Sequence, residues 1–189
     1  MTDLISYAGE LEDLAGARRL PPVEQWRPDR TGVVDIVIQS DGVWRHEGAL
    51  IRNAKLVRLF STILRKDGDD FYLVTPAERL KITVEDAPFV AVAMSVKDDR
   101  LIFRTNLGDR VTAGDDHALF MRQRDGAVTP APYIHVRNGL DARLGRPVYF
   151  ELAERVEHRT VAGEPVLGVA SGAAFFPLEP LAASTPQIQ

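Results

Sequence analysis

The stretch that decides the fold class is residues 53–92, NAKLVRLFSTILRKDGDDFYLVTPAERLKITVEDAPFVAV. Its first part, Asn53 to Lys66, repeats apolar residues at helical spacing, which predicts a helix that packs one side on a core. Alternation of apolar and polar residues predicts a strand from Arg79 to Glu85, preceded by a shorter strand from Phe71 to Val74. A nearly all-apolar strand, Phe89 to Val92, follows a proline. The stretch therefore predicts an α+β fold.

The sequence on either side of this stretch predicts two small domains. Apolar residues at helical spacing from Leu4 to Ala15 predict a first helix, and a hairpin is predicted between Ile36 and His46 around an Asp-Gly turn. After the central stretch the chain becomes strand-rich, with many polar turns. We therefore predict an N-terminal domain (1–87) that is helix-rich with short strands, an antiparallel strand-rich C-terminal domain (88–180) and a mobile tail (181–189).

The composition limits the classes of function. With 189 residues and a net charge of −4, the chain has no overall field that favours nucleic-acid polymers or anionic membranes. The absence of cysteine excludes disulfides, thiolate metal sites and cysteine nucleophiles. No apolar run approaches the length of a membrane span, and the first residues lack the pattern of a signal peptide. A cytoplasmic protein without a cofactor is therefore expected.

Several motifs follow one another along the chain, among them Leu73-Val74-Thr75-Pro76-Ala77-Glu78, Thr105-Asn106-Leu107-Gly108-Asp109, Tyr133-Ile134-His135-Val136-Arg137-Asn138-Gly139-Leu140 and Arg146-Pro147-Val148-Tyr149-Phe150-Glu151-Leu152. In this order they make the chain resemble a bacterial family known as domain of unknown function family 1285. The resemblance covers roughly Pro21 to Leu178 and implies a two-domain α+β architecture with a cleft between the domains. It also implies a role in signalling with a nucleotide-like ligand, and it supplies no catalytic residues.

The candidate binding residues begin with Tyr133, His135 and Arg137. On a regular strand these three side chains point to one face. A phenol, an imidazole and a guanidinium together offer stacking, a titratable hydrogen-bonding group and a bidentate contact to an anion. This pattern predicts a site for a ligand that carries a ring and a phosphate or carboxylate. The alternative is an ordinary solvated strand face with a surface ion pair.

Further polar side chains are candidates for the walls of the same site. Arg104 and Asn106 share one strand face, and Lys81 lies on the polar face of the strand from Arg79 to Glu85. If the domains close on each other, these faces line the cleft, where ligands often bind. Arg143 and Arg146 follow closely after Arg137 and suggest an additional anion cradle. The alternative is a set of exposed charges that keep the protein in solution.

Recognised catalytic and nucleotide-binding motifs are missing from the sequence. There is no P-loop, no Rossmann glycine pattern and no histidine spacing typical of a metal site. The resulting hypothesis is a protein that senses a small anionic, nucleotide-like ligand. Whether it is an enzyme stays open, because a phosphate-ester hydrolase that uses His135 and Glu85 is one alternative. The other is a protein-interaction module, in which the Leu4 to Ala15 helix binds a partner or a second copy of the chain.

Overall fold

The computed structural model of the chain describes residues 20–124, 126–161 and 163–178. The predicted Leu4 to Ala15 helix and the predicted tail (181–189) lie outside these residues. The chain divides into two compact units, Met1–Pro88 and Phe89–Gln189. Among the described residues, none of the helices has the length and apolar character needed to cross a membrane.

Six strands of the N-terminal unit form one sheet in the order β3-β2-β1-β6-β5-β4. Neighbouring strands are antiparallel, except that β1 and β6 run parallel. The strands are β1 Arg30–Ile38, β2 Trp44–His46, β3 Ala49–Leu50, β4 Leu64–Asp67, β5 Asp70–Val74 and β6 Glu78–Val84. In the described part of this unit the only α-helix is α1, Ala54–Thr62, and a 3-10 turn spans Val23–Gln25.

The helix predicted from Asn53 to Lys66 is shorter than expected. Asn53 caps its start, because the side-chain oxygen accepts hydrogen bonds from the amides of Lys55 and Leu56 at 3.0 and 3.2 Å. The helix ends at Thr62, and the next residues form strand β4, which pairs with β5 across a turn at Gly68. A short segment such as residues 63–66 is compatible with the end of a helix or with a buried strand. Its pairing with β5 in the hairpin makes it a strand.

The prediction of a helix-rich N-terminal domain in an α+β fold is wrong. Both units consist mainly of strands, which form three sheets, and the described residues contain α-helices only at Ala54–Thr62 and Arg146–Ala153. The error arose in part from the sequence after Thr62, where helical spacing continued into a strand. The fold is therefore mostly β.

The connector that precedes β1 is held to the N-terminal sheet by one buried arginine. Arg65, which is 6% exposed, donates hydrogen bonds to the carbonyl oxygens of Val23 and Trp26 at 3.0 and 3.1 Å. Its guanidinium also pairs with Asp67 at 2.8 Å. A buried guanidinium with these three partners has its charge and its donors satisfied, so it fixes the start of the described chain.

The C-terminal unit contains a six-stranded sheet in the order β10-β11-β12-β7-β8-β9 and a three-stranded sheet in the order β13-β14-β15. Within the larger sheet, β12 and β7 run parallel and the other neighbours are antiparallel. The elements are β7 Phe89–Lys97, β8 Arg100–Thr105, β9 Arg110–Thr112, β10 Leu119–Arg122, β11 Ala131–Arg137, β12 Leu140–Leu144, α2 Arg146–Ala153, β13 Glu157–Val161, β14 Glu164–Ser171 and β15 Ala174–Pro177.

One face of the larger sheet forms the core of the C-terminal unit. Phe89, Phe103 and Ile134 are fully buried on this face, and α2 contributes the buried residues Val148 and Leu152. Because side chains alternate along each strand, the residues between these core positions point to the opposite face. That opposite face carries the polar side chains described next.

Candidate functional site

Strands β10, β11 and β12 bring six side chains together on the face of the C-terminal sheet opposite Phe89 and Ile134, where Tyr133 is buried as well. Phe120 is opposite Tyr133, which is opposite Arg143, and His135 is opposite Asp141. Directly opposed residues of antiparallel strands share a face and lie within side-chain contact. Arg122 follows Phe120 on the same face of β10. We call this group the β10–β12 cluster (Phe120, Arg122, Tyr133, His135, Asp141 and Arg143).

The aromatic part of the cluster consists of Phe120 and Tyr133, with Arg122 packed against the Tyr133 ring. Tyr133 is 0% exposed, and its ring stacks on Phe120 with centroids 5.8 Å apart and an interplanar angle of 19°. The guanidinium carbon of Arg122 lies 3.8 Å from the centroid of the Tyr133 ring. An arginine at this distance gains cation–π and stacking energy. Tyr133 is therefore the floor of the cluster, and Arg122 lies on it.

Asp141 joins the two basic groups beside this stack. Its Oδ2 accepts a hydrogen bond from Arg122 at 3.0 Å, and its Oδ1 lies 3.0 Å from Nδ1 of His135. The contact to Nδ1 fixes the ring of His135, whose Nε2 makes no hydrogen bond to any residue that the structure describes. The His135 side chain is 29% exposed, so solvent or a ligand can reach this histidine.

The cluster contains both basic and acidic side chains, in a chain whose net charge is −4. Arg122 and Arg143 contribute two guanidinium groups, whereas Asp141 contributes one carboxylate. Arg104 lies on the same face, two strands away on β8, and it is exposed. Guanidinium groups match the geometry of phosphate and carboxylate oxygens. This face of the sheet can therefore bind a small anion.

Arg137 does not share the face of Tyr133 and His135, so the prediction of three residues on one face is wrong for Arg137. The pairing of β11 with β12 shifts between His135 and Arg137, which leaves Val136 as an extra residue. Arg137 is consequently opposite the buried Leu140 and lies on the core side of the sheet. A bulge of this kind reverses the side-chain direction of every residue after it.

The contacts of Arg137 show how it is held on the core side. Its guanidinium carbon lies 4.8 Å from the centroid of the Phe89 ring, and it forms an ion pair with Asp109 in the loop between β8 and β9. The Arg137 side chain is 15% exposed. These contacts tie the β11–β12 hairpin to the neighbouring strands. Its role as an anion clamp stays a prediction.

Asn106 and Lys81 have local partners. The Asn106 side-chain oxygen accepts a hydrogen bond from the Val90 amide at 3.1 Å, which continues the pairing of β7 and β8 beyond the last strand residue. Lys81 lies in the N-terminal unit and pairs with Asp70 at 2.7 Å. The hydrogen bond that Lys81 donates to Asp70 raises the pKa of the Lys81 amine and lowers the pKa of the Asp70 carboxyl group.

Three members of the cluster were not among the predicted site residues: Phe120, Arg122 and Asp141. The sequence signal that leads to Asp141 is the Asn138-Gly139 pair, whose φ angles of 44° and 74° form the two-residue turn of a tight hairpin. Continuing the strand after this turn places Asp141 and Arg143 opposite His135 and Tyr133. Arg146 begins α2 and is exposed.

Comparisons with known proteins give one consistent result. The model of the N-terminal domain of DUF1285, a domain of unknown function, matches residues 21–87, and the model of the C-terminal domain of this protein family of unknown function matches residues 88–178. A DUF1285 family protein from Silicibacter pomeroyi DSS-3 has a solved structure that is 38% identical, with a TM-score of 0.80, covering 90% of this chain and 95% of that chain.

A second solved structure shows weaker similarity. It is a DUF1285 family protein from Shewanella baltica OS155, 28% identical, with a TM-score of 0.52, covering 65% of this chain and 92% of that chain. No curated protein matches. Neither solved relative has a name that states an activity, so any function must be argued from the side chains themselves.

Proposed function

Because this chain belongs to the DUF1285 family, whose function is unknown, we propose its function from its own side chains: it binds a small anionic ligand that carries a planar ring. One observation carries the proposal. Arg122 and Arg143 share a sheet face with His135, and the carboxylate of Asp141 contacts both Arg122 and His135. An ordinary solvated face would not need a stacked and hydrogen-bonded arginine.

Each member of the cluster has a distinct role in this proposal. Arg143 and Nε2 of His135 contact the phosphate or carboxylate oxygens of the ligand. The ring of the ligand stacks on the outer side of the Arg122 guanidinium, whose inner side rests on Tyr133. Arg104 extends the positive surface beyond the cluster. Mononucleotides combine a planar base with a phosphate, and they therefore fit this arrangement.

The family resemblance adds two features to the proposal. A nucleotide-like ligand agrees with the chemistry of the cluster, and a sensory role in signalling follows if ligand binding is the protein's main task. The position of the ligand between the two units stays a prediction. Arg137, which was predicted as the anion clamp, contributes by holding the hairpin that carries His135 and Asp141.

A thermal-shift screen of the full-length protein tests the proposal. The probes are AMP, cyclic AMP, ribose 5-phosphate, which lacks the base, and adenosine, which lacks the phosphate. We expect a nucleotide to stabilise the protein by about 2.7 kcal/mol at a hundredfold excess over Kd. Each of the two partial probes should stabilise it less at the same concentration, because it satisfies only the anion contacts or only the stack. If none of the four probes raises the melting temperature, the proposed class of ligand is wrong.

The second candidate function is a phosphate-ester hydrolase, and the His135–Asp141 pair favours it. A carboxylate that fixes Nδ1 leaves Nε2 of the histidine as a general base. The carboxylate in this version is Asp141 and not Glu85, because Glu85 accepts a hydrogen bond from the Ser40 amide in the N-terminal unit. Release of p-nitrophenol from p-nitrophenyl phosphate, lost in His135→Ala, would support hydrolysis. Binding of a nucleotide without product would support the ligand-binding function.

A further inference from the structure

A groove of about 580 Å³ lies beside α1 on the helix-bearing face of the N-terminal sheet. Leu56 and Phe60 of α1 form one wall, Val34 and Leu80 belong to the floor, and Leu50 of β3 lies on the other side. The groove opens where β1 leaves its regular pairing with β6, because the pairing shifts between residues 33 and 37. The sheet therefore has apolar surface that the nine residues of α1 do not cover.

This uncovered surface has the properties of a packing site. Leu50 is 49% exposed, and Leu56, Val34 and Leu80 are only partly buried. A sheet normally buries its apolar face against another layer, and one short helix covers only part of six strands. An apolar groove of this size beside a helix typically receives the apolar side of another helix.

We propose that residues 4–15 of the same chain form an amphipathic helix that docks in this groove. The segment has the matching shape, because a helix of this length is about 18 Å long and its apolar residues fall on one side. These apolar residues are Leu4, Tyr7, Ala8, Leu11, Leu14 and Ala15. The docked helix would lie beside α1 and complete the layer on this face of the sheet.

The segment is tethered to the same unit as the groove, through contacts on the opposite face of the sheet. The connector that follows it is held at Asp67 through the arginine described above, and Asp67 also pairs with Arg79. Arg79 donates a hydrogen bond to Thr31 at 3.0 Å, and Thr31 is adjacent to the groove residue Arg30. The linker of residues 16–19 reaches up to about 14 Å when extended, and the docked segment passes around the end of the sheet to reach the groove.

The charges also favour this occupant. The segment has three carboxylates, those of Glu10, Glu12 and Asp13, and the sequence has no lysine or arginine before Arg18. The exposed side of α1 and the residue before its cap are basic, with Arg52, Lys55 and Arg58. The opposite wall carries Asp35 and Glu47. We therefore place the acidic flank of the docked helix toward α1.

Disulfide trapping in the full-length chain tests the proposal, because the natural sequence contains no cysteine. The test variant carries Ala8→Cys and Leu50→Cys, which place one thiol on the apolar side of the segment and one at the groove. The matched control carries Ala8→Cys and Thr83→Cys, since Thr83 is exposed on the opposite face of the same sheet. We expect the test pair to form an intramolecular disulfide at least about tenfold faster than the control, because docking raises the effective concentration of the two thiols.

Two further variants separate docking from tethering alone. In the test pair, Leu14→Asp should slow disulfide formation to the rate of the control, whereas Ser6→Asp on the polar side should leave it unchanged. Equal rates for the test and control pairs, or no effect of Leu14→Asp, would overturn the proposal. Mixing a tagged chain with an untagged chain shows whether the disulfide joins two molecules. If it joins only different molecules, the segment docks on a second copy and the intramolecular proposal is wrong.

Discussion

Replacing Tyr133 with alanine should lower the free energy of unfolding of the C-terminal unit by about 3–5 kcal/mol. The Tyr133 side chain is completely buried, and its loss removes the surface on which Phe120 and Arg122 rest. Arg122 would then lose its cation–π contact and its firm position beside Asp141. For a unit of this size, chemical denaturation should show the full loss, and the melting temperature should fall by more than about 10 °C.

The matched control for this variant is Tyr133→Phe. Phenylalanine keeps the ring that Phe120 and Arg122 contact and removes only the hydroxyl group, which should cost about 1 kcal/mol. If Tyr133→Ala unfolds at nearly the same denaturant concentration as Tyr133→Phe, the ring is not the floor of the cluster. The description of the site would then need to change at its base.

Replacing Trp44 with alanine should have an effect of similar size in the N-terminal unit, about 3–5 kcal/mol. Trp44 is 2% exposed on β2, and its ring lies 6.3 Å from that of Phe60 on α1, measured between centroids. It is thus a principal contact between the helix and the sheet. The loss would appear in denaturant unfolding monitored by circular dichroism, since Trp44 itself supplies part of the fluorescence signal.

Trp44→Phe provides the informative comparison for that variant. The indole Nε1 is buried and has no hydrogen-bond partner among the described residues. A buried donor without a partner lowers the free energy of unfolding by about 1–3 kcal/mol. Phenylalanine removes this donor, and the gain offsets much of the packing energy that is lost with the larger indole ring. We expect Trp44→Phe to lie within about 1 kcal/mol of the natural protein. A loss as large as that of Trp44→Ala would show that the indole nitrogen has a stabilising partner.

Local sequence patterns predicted individual strands and turns better than they predicted the fold. The alternating pattern from Arg79 to Glu85 corresponds to β6, Glu78–Val84, because the apolar residues of the pattern face the core. The loop Lys97-Asp98-Asp99-Arg100 is the turn between β7 and β8, where Asp98 and Asp99 have positive φ. Such signals depend on neighbouring residues. The end of the predicted helix is strand β4, which pairs with β5 just across the turn at Gly68, and the spacing of apolar residues within the segment itself could not reveal this partner.

The candidate site was only partly predictable for the same reason. Tyr133 and His135 were identified from their alternation on one strand, and the structure places both in the β10–β12 cluster. Arg137 was assigned to the same face because alternation assumes a regular strand, and the bulge at Val136 is visible only in the pairing with β12. Asp141 belongs to the cluster through that pairing as well. Residues of one site that come from different strands require the register, which a single sequence does not provide.

The most direct test of the account is a calorimetric titration of the full-length protein with the most stabilising probe of the screen. The variant is Arg143→Gln, and the matched control is Arg110→Gln, an exposed arginine on β9 at the far edge of the same sheet. A charge-assisted contact contributes about 1.5–3 kcal/mol, so Arg143→Gln should weaken binding by about tenfold or more, whereas Arg110→Gln should bind as the natural protein does. Unchanged binding by Arg143→Gln, or an equal loss in Arg110→Gln, would contradict an anion site on the β10–β12 cluster.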